Sequence, residues 1–62
     1  MFKLFENDTL IWQSTQQYVV LEKLQAIVIE ARNDGCEVQR IGSEEDTGLY
    51  IIDGRLYSIK VD

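Results

Sequence analysis

Cys36 is the only thiol in the sequence, and the sequence contains no histidine that could activate it. A nucleophilic thiol needs an adjacent base or cation that lowers its pKa. The residues beside Cys36 are Gly35 and Glu37, and neither of them is cationic. A single cysteine also excludes an intrachain disulfide. The sequence therefore predicts a structural cysteine and gives no support for nucleophilic catalysis.

Glu44-Glu45-Asp46 is the densest group of carboxylates in the chain. Paired carboxylates can do acid–base chemistry only inside a pocket of ~300 Å³ or more, which so short a chain seldom contains. The alternating ligands and the glycine of a calcium loop are missing around them, and the histidines or further thiols of a zinc site are missing from the sequence. We therefore expect no enzyme, no metal and no cofactor. We predict instead that Glu44, Glu45 and Asp46 form a solvated turn that also contacts a partner.

Charge and length restrict the classes of partner. The 62 residues carry 6 basic and 11 acidic side chains, a net charge of −5, and make one domain, residues 1–62. The basic residues are scattered, whereas proteins that bind phosphates carry a basic stripe. A nucleic-acid platform would need Lys3, Lys60 and Arg55 to converge beside Trp12 or the tyrosines. We expect no direct nucleic-acid binding, and a protein partner with a basic or apolar surface instead.

A helix over roughly residues 15–34 is the clearest element. Ser14-Thr-Gln-Gln17 fits a capping box at its start, and Gly35 is the left-handed residue expected after its end. Tyr18 and Ile29 lie opposite the apolar stripe, where a helix on a sheet is usually polar, so we predict that they contact a partner. The stripe itself recurs at three- and four-residue steps and comprises Val20, Leu21, Leu24, Ile27, Val28 and Ala31.

Strands are expected on both sides of the helix. Asp53-Gly54 predicts a two-residue type I′ hairpin, residues 36–41 read as a further strand, and residues 2–5 and 10–12 indicate a weaker hairpin around residues 6–9. The expected order is ββαβββ, or βαβββ if the first pair merges. Either order gives a small two-layer α+β fold, an antiparallel sheet of 4–5 strands with one helix across one face.

The C-terminal hairpin has two apolar faces, and one helix can cover only one of them. Tyr50 and Tyr57 form a cross-strand aromatic pair, which favours their face, shared with Ile52, Ile59 and Val61, as the core. The second face consists of Leu49, Ile51 and Leu56, followed by Ser58 and Lys60. In the reverse assignment, this second face packs under the helix and the tyrosines point outward.

Both assignments leave an apolar surplus, meaning more apolar side chains than the helix can cover. On a protein of this size, such exposed apolar side chains typically mark an interface. Leu49, Ile51 and Leu56 are therefore predicted partner-binding residues. The alternative is that the N-terminal hairpin folds over the second face and covers it. The longest uninterrupted apolar runs contain four residues, and the sequence shows no export signal. These features predict a cytoplasmic protein without a membrane span.

These features together predict a small acidic module that binds and inhibits or modulates a larger protein. In size, charge and layout the chain resembles the short inhibitors made by phages and mobile elements, such as anti-CRISPR proteins, although it shares no motif with them. The likeness implies action by occupying a partner's surface. A homodimer is also expected, joined through the outer sheet face, an edge strand or the Tyr18 side of the helix. The alternative function is a homo-oligomeric structural or assembly protein without inhibitory activity.

Overall fold

A computed structural model describes residues 1–41 and 49–62, and over these residues the chain forms five strands and one helix in the order ββαβββ. The strands form one antiparallel sheet in the order β2-β1-β5-β4-β3, and the helix packs on one face of it. The predicted α+β fold is confirmed, with two strands before the helix. The elements are β1 (Phe2–Glu6), β2 (Thr9–Ser14), α1 (Gln17–Asn33), β3 (Val38–Arg40), β4 (Tyr50–Ile52) and β5 (Arg55–Val61).

The C-terminal end of α1 confirms the prediction. The N–H of Cys36 donates to the carbonyl of Ala31 at 2.9 Å, and the N–H of Gly35 donates to that of Arg32 at 3.1 Å. Gly35 has a φ of 79°. These two hydrogen bonds and the left-handed glycine define a Schellman motif. It turns the chain back toward the sheet and places the Cys36 side chain against the core.

The N-terminal end of α1 differs from the predicted capping box. Ser14 is the last residue of β2, and α1 begins only at Gln17. The hydroxyl oxygen of Ser14 accepts a hydrogen bond from the N–H of Gln16 at 3.1 Å, and the N-cap residue, Gln16, makes no side-chain cap. Pairing of β2 with β1 holds Ser14 in the sheet, so its hydroxyl bonds the amide two residues ahead rather than three.

Both hairpins form. Asp53 and Gly54 have φ values of 51° and 79°, as a type I′ turn requires. Asn7, in the first turn, also has a positive φ, 56°. It is fixed from outside its own hairpin, because its side-chain oxygen accepts from the N–H of Leu56 at 3.1 Å. The first turn is thereby tied to β5.

The core lies between α1 and the face of the sheet that carries the paired tyrosines. Tyr50 and Tyr57 are both buried, and Ile52 is only 2% exposed. The favoured assignment of the hairpin faces is therefore confirmed, except that Val61, at the end of β5, stays 70% exposed. The buried core residues are Leu4, Val20, Leu24, Val28, Ala31, Tyr50, Ile52 and Tyr57.

The polar tips of the two tyrosines have partners. The Gln25 amide donates to the Tyr50 hydroxyl at 3.2 Å. The Tyr57 hydroxyl donates a short hydrogen bond to Glu6. Burial, followed by this hydrogen bond and the negative charge of Glu6, raises the pKa of Tyr57. Aromatic rings with satisfied hydroxyls can therefore lie in the core instead of facing outward.

The N-terminal hairpin does not fold over the second face. Strand β1 pairs with β5 and joins the sheet near its centre, with Leu4 opposite Ile59 and fully buried. The alternative in which this hairpin acts as a cover is wrong. Its residues extend the sheet sideways, because the N-terminal strand satisfies the free edge of β5. No helix in the described part of the chain is long and apolar enough to cross a membrane.

Candidate functional site

The sheet face opposite α1, called the outer face below, carries a mostly apolar row that runs across β2, β1 and β5 and continues past the ends of β4 and β3. Phe5 of β1 lies opposite Leu10 of β2 on one side and Ser58 of β5 on the other. The register of β4 and β5 brings Leu49 opposite Ser58, and the N–H of Ile41 donates to the carbonyl of Leu49 at 3.0 Å. The central row is therefore Ile41, Leu49, Ser58, Phe5 and Leu10, in order across the sheet.

Ser58 makes a dip in the middle of this row. It is the smallest side chain of the five and is only 5% exposed, although no helix covers this face within the described residues. Burial without a lid means that the larger neighbouring side chains enclose it. Phe5 and Leu49 lie on either side of it in the row, with Leu56 two residues before it and Lys60 two residues after it on the same strand face.

A second, shorter apolar row runs beside the central row. Ile51 lies opposite Leu56 on β5 and opposite Gln39 on β3. Leu56 is 37% exposed, whereas Ile51 is half-buried. Ile51 and Gln39 also line a shallow hollow of about 170 Å³ at the Asp53-Gly54 turn, with Glu37 on its rim. The two rows make a continuous apolar patch.

The two ends of the outer face carry opposite charges. Lys3 and Lys60 are paired across β1 and β5 beyond the central row. The Lys60 ammonium lies 5.2 Å from the centre of the Phe5 ring, and the Lys3 ammonium contacts the Asp62 carboxylate. The hydrogen bond from Lys3 and its positive charge lower the pKa of Asp62. Glu37 and Asp53 lie at the other end, around the hollow, and the Arg55 guanidinium lies 4.0 Å from the Asp53 carboxylate.

The structure brings three of the predicted partner-binding residues together. Leu49, Ile51 and Leu56 all lie on the outer face, next to one another across β4 and β5. Leu49 and Ile51 are half-buried against their neighbours, and Leu56 is exposed. They belong to the same patch as the central row.

The other predicted residues do not join this patch. Tyr18 and Ile29 are exposed on α1, which packs on the opposite face of the sheet. They are eleven residues apart, or ~16 Å along a helix, with polar Glu22 and Gln25 between them. They are separate exposed side chains and do not form a second patch. Glu44, Glu45 and Asp46 lie outside the described residues.

Phe5, Leu10 and Ile41 belong to the outer face but are missing from the set predicted from sequence. For Ile41 a signal existed, because its parity is opposite to that of Val38, which packs on the core. For Phe5 a signal also existed, because it follows buried Leu4 in β1 and adjacent residues of a strand point to opposite faces. Leu10 is paired with Phe5 and lies on the same face. Their place beside Ser58, however, depends on the pairing of β1 with β5, which no local pattern encodes.

The described residues show little that could support chemistry. They contain no group of three or more His, Cys, Asp or Glu side chains placed to hold a metal ion. Cys36 is a free thiol that packs against the core. Among them the nucleic-acid platform does not form either, because the tyrosines of the core are buried and Trp12 lies beside Lys23, 4.8 Å from its ammonium, rather than beside Lys3 or Lys60.

No family model, curated protein or solved structure matches the chain. The outer face is therefore the feature of this protein from which a function can be inferred.

Proposed function

We propose that this protein is a small acidic protein–protein interaction module that docks on a larger protein through the outer face and inhibits or modulates it. The observation that carries the proposal is the apolar patch built from the central row together with Ile51 and Leu56. No element of the described residues covers this patch. Contiguous apolar patches on small proteins usually mark interaction sites.

The extent of the outer face supports a protein partner rather than a small ligand. Five strands, each ~4.8 Å wide, cover about 24 Å, and the distance from the first to the last of four rows of side chains at ~6.7 Å spacing is about 20 Å. The footprint is therefore about 500 Å². The hollow at the Asp53-Gly54 turn, of about 170 Å³, and the hollow beside Leu10 at the β2 edge, of about 330 Å³, are both open to solvent. Flat apolar surfaces of this kind suit another protein surface, whereas small-molecule sites are concave.

Charge supports a partner that is basic around an apolar centre. The net charge is −5, and residues 33–62 hold 7 of the 11 acidic side chains. Such a field attracts a basic surface before contact and fixes orientation, while apolar contact supplies most of the affinity. The mode of action is occupation of the partner's surface, without enzymatic activity or a cofactor. A free thiol is compatible with a partner in the reducing cytoplasm.

Capture of binding proteins from a host lysate, followed by an activity assay of the captured protein, tests the proposal. Leu56→Lys places a charge in the patch, and we expect it to reduce capture at least about tenfold. Ala26→Lys, at an exposed position of α1 on the opposite side of the molecule, is the matched control and should leave capture unchanged. Added wild-type protein should then reduce or alter the partner's activity in proportion to occupancy.

Reversal of Glu44, Glu45 and Asp46 to lysine tests the electrostatic contribution separately. We expect slower association and a weaker salt dependence, with less effect on dissociation. Capture that is equally strong for wild type and Leu56→Lys would assign binding to another surface and remove the outer face from the proposal.

The second candidate function is a homo-oligomeric assembly protein. The observation that favours it is the arrangement of charge on the outer face, basic at Lys3 and Lys60 and acidic at Glu37 and Asp53. A surface with oppositely charged ends can complement a second copy of itself.

A further inference from the structure

We infer that a second copy of this chain packs on the outer face, related to the first by a twofold axis that runs across the strands. This inference rests on the second candidate function and deepens it, by naming the surface, the symmetry and the contacts. Three features of the outer face support it: the order of its rows, the charges at its ends and its area.

Two twofold axes allow the outer faces of two copies to pack against each other. An axis parallel to the strands places each row over the same row of the partner, so that Lys60 faces Lys60 of the other copy. An axis across the strands exchanges the two ends, so that the Lys3 and Lys60 end faces the Glu37 and Asp53 end. Like charges in contact cost free energy and opposite charges stabilise. The charges therefore select the axis across the strands.

The same axis also matches the shapes of the two rows. When the axis passes midway between the central row and the second row, the central row of one copy faces the second row of the other. Ser58 and Leu56 both lie on β5, so the exposed Leu56 of one copy comes over the dip at Ser58 of the other. By symmetry this contact occurs twice. Ile51 faces Leu49 in the same way on β4, because a twofold interface repeats each contact.

The edges of the sheet are weaker candidates for self-association. At β2, a register shift between Leu4 and Phe5 interrupts the regular ladder, and such bulges protect edge strands from pairing. At the other edge, β3 is only three residues long. The helix surface offers Tyr18 and Ile29 as separate side chains rather than a patch. The outer face joins more apolar residues than the β2 edge, where Ile11 and Trp12 are exposed beside Leu10.

The area sets the strength of the expected dimer. Two footprints of about 500 Å² bury about 1,000 Å² in total, at the lower limit of specific interfaces. The net charge of −5 on each copy adds long-range repulsion. We therefore expect a reversible dimer that dissociates in the micromolar range at ~0.15 M salt, where the Debye length is ~8 Å.

Sedimentation velocity across a range of roughly 1 to 500 µM tests the inference. The wild type should shift from monomer to dimer. Leu56→Lys should weaken the dimer at least about tenfold, and Ser58→Trp should weaken it by filling the dip. Far-UV circular dichroism checks that both variants are folded. Ala26→Lys, at an exposed position of α1 on the opposite surface, should dimerise like the wild type.

A charge exchange tests the axis. With the axis across the strands, Lys60 of one copy lies over the Gly54 end of β5 of the other copy, next to Asp53. Lys60→Glu and Asp53→Lys should each weaken the homodimer, because each places like charges close together in both halves of the interface. A mixture of the two variants should recover a heterodimer, since glutamate at 60 then lies beside lysine at 53. With the axis along the strands, each end faces the same end of the other copy, so Asp53→Lys would meet the acidic end and would not weaken the dimer.

A wild type that remains monomeric throughout this range overturns the inference but leaves the binding of a larger partner intact, because lysate capture measures that separately. A dimer that resists both Leu56→Lys and Ser58→Trp overturns the choice of the outer face. A dimer that is sensitive to these two variants but insensitive to Asp53→Lys overturns the axis.

Discussion

Ile51 and Ile52 are adjacent residues of β4 that face opposite sides of the sheet, and replacing each by alanine separates the core from the outer face. The two substitutions remove the same atoms from the same strand, so strand propensity changes equally in both. Ile52 is 2% exposed and packs in the core with the helix. Ile51 is half-buried beside Leu56 on the outer face. Any difference between the variants therefore reports burial.

The expected magnitudes differ several-fold. Ile52→Ala removes a fully buried side chain and should cost about 2–5 kcal/mol of the free energy of unfolding. A domain of this length has only ~3–9 kcal/mol in total, at 0.05–0.15 kcal/mol per residue. Ile51→Ala leaves no closed cavity, so about 1 kcal/mol or less is expected for the monomer. At 4–8 °C per kcal/mol, Tm should fall by at least ~8 °C for Ile52→Ala and by at most ~8 °C for Ile51→Ala, with the same conversion factor applying to both variants.

Thermal and urea unfolding followed by far-UV circular dichroism measure this difference. The measurement is made at a few micromolar, and repeated at a concentration about a hundredfold higher, because association adds to the apparent stability of a residue at the interface. Equal losses for Ile51→Ala and Ile52→Ala at low concentration would refute the assignment of faces. In that case both sides of β4 would be core, and no apolar surplus would remain.

Two further predictions concern polar groups and backbone. Because the pKa of Tyr57 is raised in the folded state, its contribution to stability is complete below the unfolded pKa of about 10 and is lost as pH rises through the folded value. Urea titrations from pH 8 to 11.5 should show this loss of stability. In Tyr57→Phe, which also lacks the hydrogen bond to Glu6, stability should depend less on pH over this range. Gly35→Ala places a side chain at a φ of 79° where no atom lies within 4 Å, so strain alone should cost about 1–2 kcal/mol in urea unfolding. A loss near zero would contradict the left-handed cap.

Local sequence determined the elements whose hydrogen bonds join near neighbours in the chain. Asp53-Gly54 determined the register of β4 and β5, because only a two-residue turn with positive φ at both positions connects them this way. Gly35 determined the end of α1 for a similar reason, since a left-handed residue closes the Schellman motif. The start of α1 escaped local reasoning because pairing in the sheet held Ser14 in β2.

Sequence alternation also determined that the C-terminal hairpin has two apolar faces, but it did not decide which face is core. The decision came from packing. Tyr50 and Tyr57 lie under α1 because Gln25 and Glu6 satisfy their hydroxyls there, and both partners come from distant parts of the chain. An alternation pattern cannot report such partners, because it records only the direction in which each side chain points.

The sequence by itself therefore determined that this protein has more apolar surface than its helix can cover, since that follows from counting side chains on each face. Tertiary structure alone decided where the surplus lies. Strand β1 pairs with β5 across more than fifty residues of chain, Phe5 with Ser58 for example. This pairing joins apolar residues of β1 and β2 to the apolar residues that flank β3 and β4, in one row with Ser58 at its centre. Contacts between such distant residues depend on the packing of the whole sheet, so no short stretch of sequence contains them.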